Sequence, residues 1–498
     1  MKQQKNGEAK AVFKNNHKKY NQKMGLINLT KNQMDDIHQA TLDILEKVGV
    51  KVCEPEALKL LKDNGANVSG DLVKIPSLLV EQALQTVPSS LAIADRSGNR
   101  AMTLESQRGV YYGPGSDTPY IIDIDTGERR RAVKQDTINA ARVCDALENI
   151  DFVMAMALAS DMPQNRTDRH HFEAMVLNTT KPIVFDAHDR QGLLDIIAMA
   201  ALIVGGKDKL TENPYIIHYA QPTSPLIHSR TALEKLLTAA AEKIPLIYIP
   251  AVMCGATAPV TTAGALVVAN AESLSGLVIH QLKAEGAPFI YGGGTPPMDM
   301  ITSVCSYGDP QRDLGCACLV QLSDYYNLPS FTTGGCSDAH IFDQQAAMEA
   351  GFNLLISGLS GGNMVHDLGY IGAGMTGSLE YLLLCNEGAG AVRFLTCGVD
   401  INPATLALEV IEKVGPGGHF LSEKHTMEHF RDEMHFTNLF NRNTYENWLA
   451  AGSKGFGENA KAMIKEILQW HEVPLLDAKI MKTVKDIAAG EANRHKLA

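Results

Sequence analysis

Aromatic residues make up only 6% of this 498-residue chain, and tryptophan occurs twice. No Cys-x-x-Cys pair is present, and the nine cysteines (53, 144, 254, 305, 316, 318, 336, 385 and 397) are scattered mostly singly through apolar surroundings. That usage argues against a disulfide framework and predicts a cytoplasmic protein with free thiols. Cations are in deficit: 45 Lys and Arg against 56 Asp and Glu give a formal charge of −11. Binding to a phosphate backbone relies on Lys and Arg, so nucleic acid is not expected as a partner. Long apolar runs are missing as well. The longest uncharged stretch, 244–271, is broken by Pro245, Pro250 and Pro259 and by Thr257, Thr261 and Thr262, so no membrane span is expected. The lysines of the first two dozen residues have no apolar segment behind them, which is not the pattern of a secretory signal.

The rest of the composition is that of a folded globular protein, with 45% hydrophobic and 20% charged residues. The length allows one large catalytic domain with appendages, or two to three domains. Between about 150 and 400, short β-rich runs recur, each followed by a turn and a segment of 3.6-residue apolar spacing. Eight runs are predicted as strands: 152–158, 182–185, 215–219, 245–249, 288–291, 329–332, 363–366 and 392–395. Helices are predicted between them, among them 229–241, 262–284, 310–326, 343–357 and 378–388. Strict alternation requires parallel pairing, because each parallel connection needs a crossover of a dozen residues or more. The expected fold class is therefore α/β, a (β/α)8 TIM barrel with an N-terminal α+β cap and a C-terminal helical extension. A doubly wound open sheet is the competing arrangement. The expected divisions are a disordered basic arm over 1–23, the cap over 24–150, the barrel over 151–400 and the extension over 401–498. Thr30 is a predicted N-cap, and Trp448 and Trp470 are expected to anchor the extension.

On a barrel, functional groups belong at the carboxyl ends of the strands. None of those ends carries Lys, and Lys181 falls at the opposite end of its strand, which disfavours a Schiff-base aldolase. No GxxxxGK[ST] phosphate loop occurs. Cys336, Asp338 and His340, with His366 and Asp367, could supply zinc-type ligands, yet their spacing matches no closed zinc site, and Ser337 or Asp338 could cap the next helix. Asp186 with His188 and Asp189 reads either as an acid–base group or as helix caps. Phe185, Tyr219, Tyr291 and Phe331 stand at or beside strand ends, with Tyr111 and Tyr112 in the cap. Each could fill core; together they could form a box for a quaternary ammonium group.

Longer strings narrow the choice. Gln221-Pro222-Thr223-Ser224-Pro225-Leu226-Ile227-His228, Ala256-Thr257-Ala258-Pro259-Val260-Thr261-Thr262-Ala263-Gly264, Gly334-Gly335-Cys336-Ser337-Asp338, Gly415-Pro416-Gly417-Gly418-His419-Phe420-Leu421 and His425-Thr426-Met427-Glu428-His429-Phe430-Arg431 resemble the trimethylamine methyltransferase superfamily. The resemblance covers roughly 25–470. It implies a barrel that passes a methyl group from a methylated amine to the cobalt of a separate, cognate corrinoid protein. Trimethylamine enzymes proper carry pyrrolysine, whereas this chain uses only the standard twenty residues, so it is similar to the non-pyrrolysine branch acting on glycine betaine, proline betaine or carnitine-type amines. A second departure is Gly308-Asp309-Pro310-Gln311, where family members often have Glu after the Pro.

A quaternary nitrogen leaves as a neutral tertiary amine, so attack by Co(I) needs no general acid and no metal Lewis acid. Positioning and desolvation suffice, and orientation effects reach about 7 kcal/mol. On this reading no catalytic acid or base and no metal is expected, and no cofactor is tightly bound, the corrinoid (cobalamin) being presented by the partner. Phe185, Tyr219 and Phe331 are expected to cradle the ammonium group, and His188, Arg312 or His366 to bind a substrate carboxylate. Gly292, Gly293, Gly294, Gly334 and Gly335 are expected to form a corrinoid-facing rim. A homo-oligomer is expected. The alternatives are a non-catalytic quaternary-amine or corrinoid binding protein on the same barrel, and a zinc-assisted methyltransferase.

Overall fold

Seven short strands lie side by side, all parallel, in a computed structural model that describes residues 25–491. They are β1 (Tyr111–Pro114), β2 (Ile183–Asp186), β3 (Ile216–Ala220), β4 (Leu246–Tyr248), β5 (Phe289–Gly292), β6 (Ser330–Thr333) and β7 (Met364–Leu368), and the order across the sheet is β1-β7-β6-β5-β4-β3-β2. Consecutive strands from β2 to β7 are neighbours, and each is followed by a helix on the outer face. These helices are α1 (Arg190–Val204), α2 (Arg230–Ala241), α3 (Thr262–Lys283), α4 (Pro310–Tyr325), α5 (Gln344–Ser360) and α6 (Leu379–Thr396). Six of the expected strands are thus present. The basic arm of 1–23 lies outside the described residues.

Two expected strands are corrected. Residues 392–395 belong to α6, which continues through them to Thr396. A four-residue apolar run cannot by itself be told from a buried helical turn. The glycines before it, which read as a break, are instead contact points: a Cβ on Gly388 would stand 2.8 Å from Leu354 Cδ1, and one on Gly390 2.8 Å from Asn149 Nδ2. Segment 152–158 forms no regular strand. It does span the gap between the outermost strands: the Asp151 N–H donates to Tyr112 O (2.7 Å), Val153 N–H to Pro182 O (2.9 Å), and Val184 N–H to Val153 O (2.9 Å). Only isolated bridges form, Val153 with Ile183 and Ala157 with Thr118. The sequence Phe-Val-Met-Ala-Met-Ala-Leu has a single β-branched residue, and such residues favour the pleated ladder.

The expected boundary at 150 also shifts, because β1 comes from the region assigned to the cap. Residues Lys31 to Ala94 mix helix and short strand, and Thr30 caps the first helix, Lys31–Asp43, its hydroxyl accepting from the Gln33 N–H and its own N–H donating to Gln33 Oε1. A hairpin, Ser90–Ala94 with Arg100–Glu105, closes the amino end of the sheet: Ala94 N–H donates to Pro214 O and Arg96 N–H to Thr180 O, both 2.8 Å. Its Leu91, Ile93, Met102 and Leu104 join Val184, Ile217, Ile247, Ile290, Phe331 and Met364 in one apolar cluster. The sheet interior is therefore filled from below, which leaves space only at the carboxyl end.

The C-terminal region is helical and does not pack uniformly. Residues 397–459 include no buried residue, and Trp470, an expected anchor, is 71% exposed. Fully buried packing on the body resumes through Ala460, Ile464, Val484 and Ile487. All nine cysteines are free thiols. Helix α3 is long and apolar enough to cross a membrane, but 72% of its apolar window is buried inside the protein, the signature of a core helix.

Candidate functional site

Registry decides which strand-end residues meet. Tyr219 pairs with Asp186 across β3 and β2, Phe331 with Met364, and Thr333 with His366 across β6 and β7. Registered neighbours in a parallel sheet point to the same face, so Asp186, Tyr219, Phe331 and His366 all stand on the inner face. Phe331 and His366 stack with ring centroids 4.2 Å apart, while Tyr219 lies 5.9 Å from Phe331 and 6.3 Å from His366. Three rings converge there from three different strands. The His366 ring is 8% exposed and its Nε2 has no hydrogen-bond partner among the described residues. The Tyr219 hydroxyl donates to Gln221 Oε1 at 3.1 Å, and burial pushes its pKa upward, so the phenol stays neutral.

Phe185 does not join this group. Alternation along β2 turns Val184 and Asp186 inward and Phe185 outward, where it packs on Phe172 and His218 at centroid distances of 5.9 and 5.2 Å. It does line the helix side of a cavity of about 240 Å³ together with Asp117, His171, Asp186 and His188. His188 is exposed at that rim, and its backbone N–H donates to Asp168 Oδ2 at 3.0 Å. Asp189, next along, is an N-cap, accepting from Gly192 N–H. Asp186 is not a cap. Its Oδ1 accepts from the Ala187 N–H at 2.7 Å and from Lys235 Nζ at 3.1 Å. Burial and the neighbouring Asp117 raise its carboxyl pKa, against the pull of Lys235. For Asp117 burial again opposes the charge, but His171, whose Nδ1 lies 3.1 Å from Oδ1, outweighs it and keeps the carboxyl below its ordinary range.

Arg312 is not free to meet a substrate. Its side chain is 2% exposed, Nη2 donates to Asp367 Oδ2 and Nη1 to Tyr307 O, both at 3.2 Å, and the guanidinium lies 4.9 Å from the Tyr307 ring centre. Asp367 also approaches His366 Nδ1 at 2.9 Å and has a φ of 75°, strained for a residue with a side chain. The arginine thus braces the strand end from behind.

Four of the five expected rim glycines are packed by the chain itself. A Cβ on Gly292 would meet Phe331 O at 2.0 Å, and one on Gly334 would meet Val365 Cγ1 at 2.8 Å. Gly293 sits against Pro250, and Gly335, with φ 65°, would press Leu368 Cγ at 2.6 Å. Only Gly294 among them has no atom nearer than 3.7 Å.

The zinc-type residues are occupied otherwise. Asp338 accepts from the Tyr307 and Gly308 N–H groups, at 2.7 and 3.0 Å, and from the Ser306 hydroxyl. It does not cap the following helix; Asp343 does. Among the described residues no group of three or more His, Cys, Asp or Glu is arranged to hold a metal ion. Asp117 was not singled out from sequence. Its signal is the Gly113-Pro114-Gly115-Ser116-Asp117 turn that ends an apolar run, the pattern of a strand end.

Comparison with known proteins bears on this arrangement. Residues 1–494 match the family described as trimethylamine methyltransferase (MTTB). The chain is 34% identical to the trimethylamine methyltransferase MttB of Desulfitobacterium hafniense (strain DSM 10664 / DCB-2), with 93% of each protein covered. It is 31% identical to the glycine betaine methyltransferase of D. hafniense (strain Y51), over 91% of this chain and 94% of that protein. Its fold is similar to the crystal structure of the Methanosarcina barkeri monomethylamine methyltransferase MtmB, with a TM-score of 0.51 at 13% identity, covering 95% of this chain and 89% of that one. With a family match that runs almost from end to end and full-length methyltransferase relatives, this chain belongs to the trimethylamine methyltransferase (MTTB) family and is a methyltransferase.

Proposed function

We propose that this enzyme moves a methyl group from a quaternary amine to the Co(I) of a separate corrinoid protein, on a ring that residues 151–158 close into a (β/α)8 barrel. The observation that carries the reading is the convergence of Tyr219, Phe331 and His366 at the carboxyl end of the sheet. Ring faces hold a cation without neutralising it, which leaves the methyl carbon electrophilic. The relatives named for trimethylamine and for glycine betaine support an N-methyl donor.

The residues' work is binding and exclusion of water. Tyr219 is partly exposed and backed by the fully buried Phe331, so it offers a dry wall against which an N-methyl group would be held in line with the incoming cobalt. Breaking the C–N bond leaves its electron pair on nitrogen, so no protein acid is required at the leaving group. The corrinoid enters as a substrate on its partner protein, and Gly294 is the rim position where backbone stands open to it. Free thiols fit a cytoplasmic enzyme. The exposed Leu421 and Met427 of the arm over 397–459 support a homo-oligomer, since such apolar surface favours burial against another subunit.

A methyl-transfer assay tests the proposal: quaternary amines and trimethylamine are offered with reduced corrinoid protein, and the demethylated amine is detected directly. Demethylation of a quaternary amine is the expected result. Turnover of trimethylamine alone, or binding with no product, would refute it.

A further inference from the structure

The cavity beside the ring cluster is charged in a directed way. Asp186 and Asp117 are 43% and 37% accessible, whereas Lys235 and His171, their partners, are 11% and 8% accessible. The carboxylates therefore face the open space, and the cationic groups stand behind them. The Ala187 N–H and Lys235 Nζ both donate to Oδ1 of Asp186. Asp186 is also the registered neighbour of Tyr219, so this carboxylate and the three-ring cluster are parts of one inner surface. The His366 Nε2, buried and without a partner among the described residues, stands in the same cluster.

The cationic side chains of Lys235, Arg169 and Arg312 are already engaged by protein groups. Lys235 Nζ donates to Ala187 O at 2.6 Å in addition to Asp186. Arg169 holds Asp168 and Asp195, each at 3.0 Å, and Arg312 holds Asp367. His188, at the rim, lies close enough to Asp117 to favour that carboxylate's charge.

We infer that the site selects a quaternary ammonium compound whose remaining arm carries no carboxylate, of the choline or tetramethylammonium kind, over betaine-type zwitterions. The inference rests on the proposed function and narrows its substrate class. An ammonium held by Tyr219, Phe331 and His366 gains attraction from Asp186 and Asp117. A substrate carboxylate a few bonds away would meet repulsion from those same groups. In the transfer the N–CH3 bond breaks with its electron pair left on nitrogen, and the Co–C bond forms from the electron pair of Co(I). A cationic donor is thus released as a neutral tertiary amine, which the two carboxylates no longer attract.

The experiment is calorimetric titration of the full chain with tetramethylammonium chloride, choline chloride and glycine betaine. Tetramethylammonium or choline is expected to bind at least ten-fold more tightly than glycine betaine. Asp186→Asn and, separately, Asp117→Asn are expected to shrink that ratio several-fold. Because two ligands are compared on one variant, a loss of folded protein does not alter the ratio. Tighter binding of glycine betaine, or a ratio unmoved in both variants, would overturn the inference. The methyl-transfer assay is read separately: a chain that prefers tetramethylammonium yet demethylates no quaternary amine would defeat the proposed function and leave the charge selectivity standing.

Discussion

Phe331 and His366 come from neighbouring strands and stack with their ring planes 29° apart. Phe331 is also part of the apolar cluster that fills the sheet from below, so the same ring closes the core and floors the site. Truncating it to Ala would cost about 3–5 kcal/mol in stability. Phe331→Leu keeps most of the volume and removes the ring face; it is expected to lower kcat/KM for a quaternary amine by ten-fold or more with a small change in Tm. Tyr219→Leu should behave alike. Steady-state kinetics beside thermal melts check the pair, and unchanged kcat/KM in both would sink the ring-cluster reading.

Arg312 makes a different prediction because it touches Asp367 and Tyr307 rather than the cavity. Breaking a buried pair costs about 3–5 kcal/mol. Arg312→Met is therefore expected to melt well below the parent chain, whereas a carboxylate-binding arginine would show its loss chiefly in KM for carboxylate-bearing substrates. Melting curves with KM for glycine betaine separate the two roles.

Gly335 has a φ of 65° and its missing Cβ would lie 2.6 Å from Leu368 Cγ and 3.0 Å from Leu368 Cα. Gly335→Val is accordingly expected to reduce Tm and soluble yield, not to act selectively on corrinoid encounter. Gly294→Val, at an open position, is the variant expected to slow methyl transfer while amine binding is retained. Calorimetric binding together with transfer rates distinguishes them.

Glu272 on α3 is fully buried and accepts from Ser224 Oγ and Leu226 N–H, both at 2.8 Å, gripping the loop that follows β3. Burial raises its pKa to about 7 despite those bonds, from an ordinary 4.5. In that interval the folded state holds more protons than the unfolded state, so stability falls as pH rises from about 4.5 to 7, by about 3 kcal/mol in total from this group. Glu272→Gln should flatten that part of the stability–pH curve. Urea midpoints across the range measure it; an equally steep curve in the variant would contradict the assignment.

Much of the fold is readable from periodicity. The strands β2 to β7 and the helices between them alternate in the sequence as they do in space, because each unit must bury an apolar face locally before it can pair. Segment 392–395 is helix instead of strand, and strand β1 joins the parallel sheet instead of the cap. A run of four apolar residues has no period long enough to tell strand from helix, and membership of a sheet is settled by hydrogen bonds to residues far away. Tyr111 pairs with Met364, some 250 residues on.

At the site, sequence alone determined the residue types at the strand ends: aromatic side chains and carboxylates, no lysine, and glycines where strands end. Their division of labour was decided only by tertiary structure. Alternation turned Phe185 outward and Asp186 inward once the register with β3 was set. Packing engaged Arg312 with Asp367 and filled the space above Gly335 with Leu368. Which face a side chain takes, and whether a charge is already paired, depends on neighbours distant along the chain, and that is information no local window of residues contains.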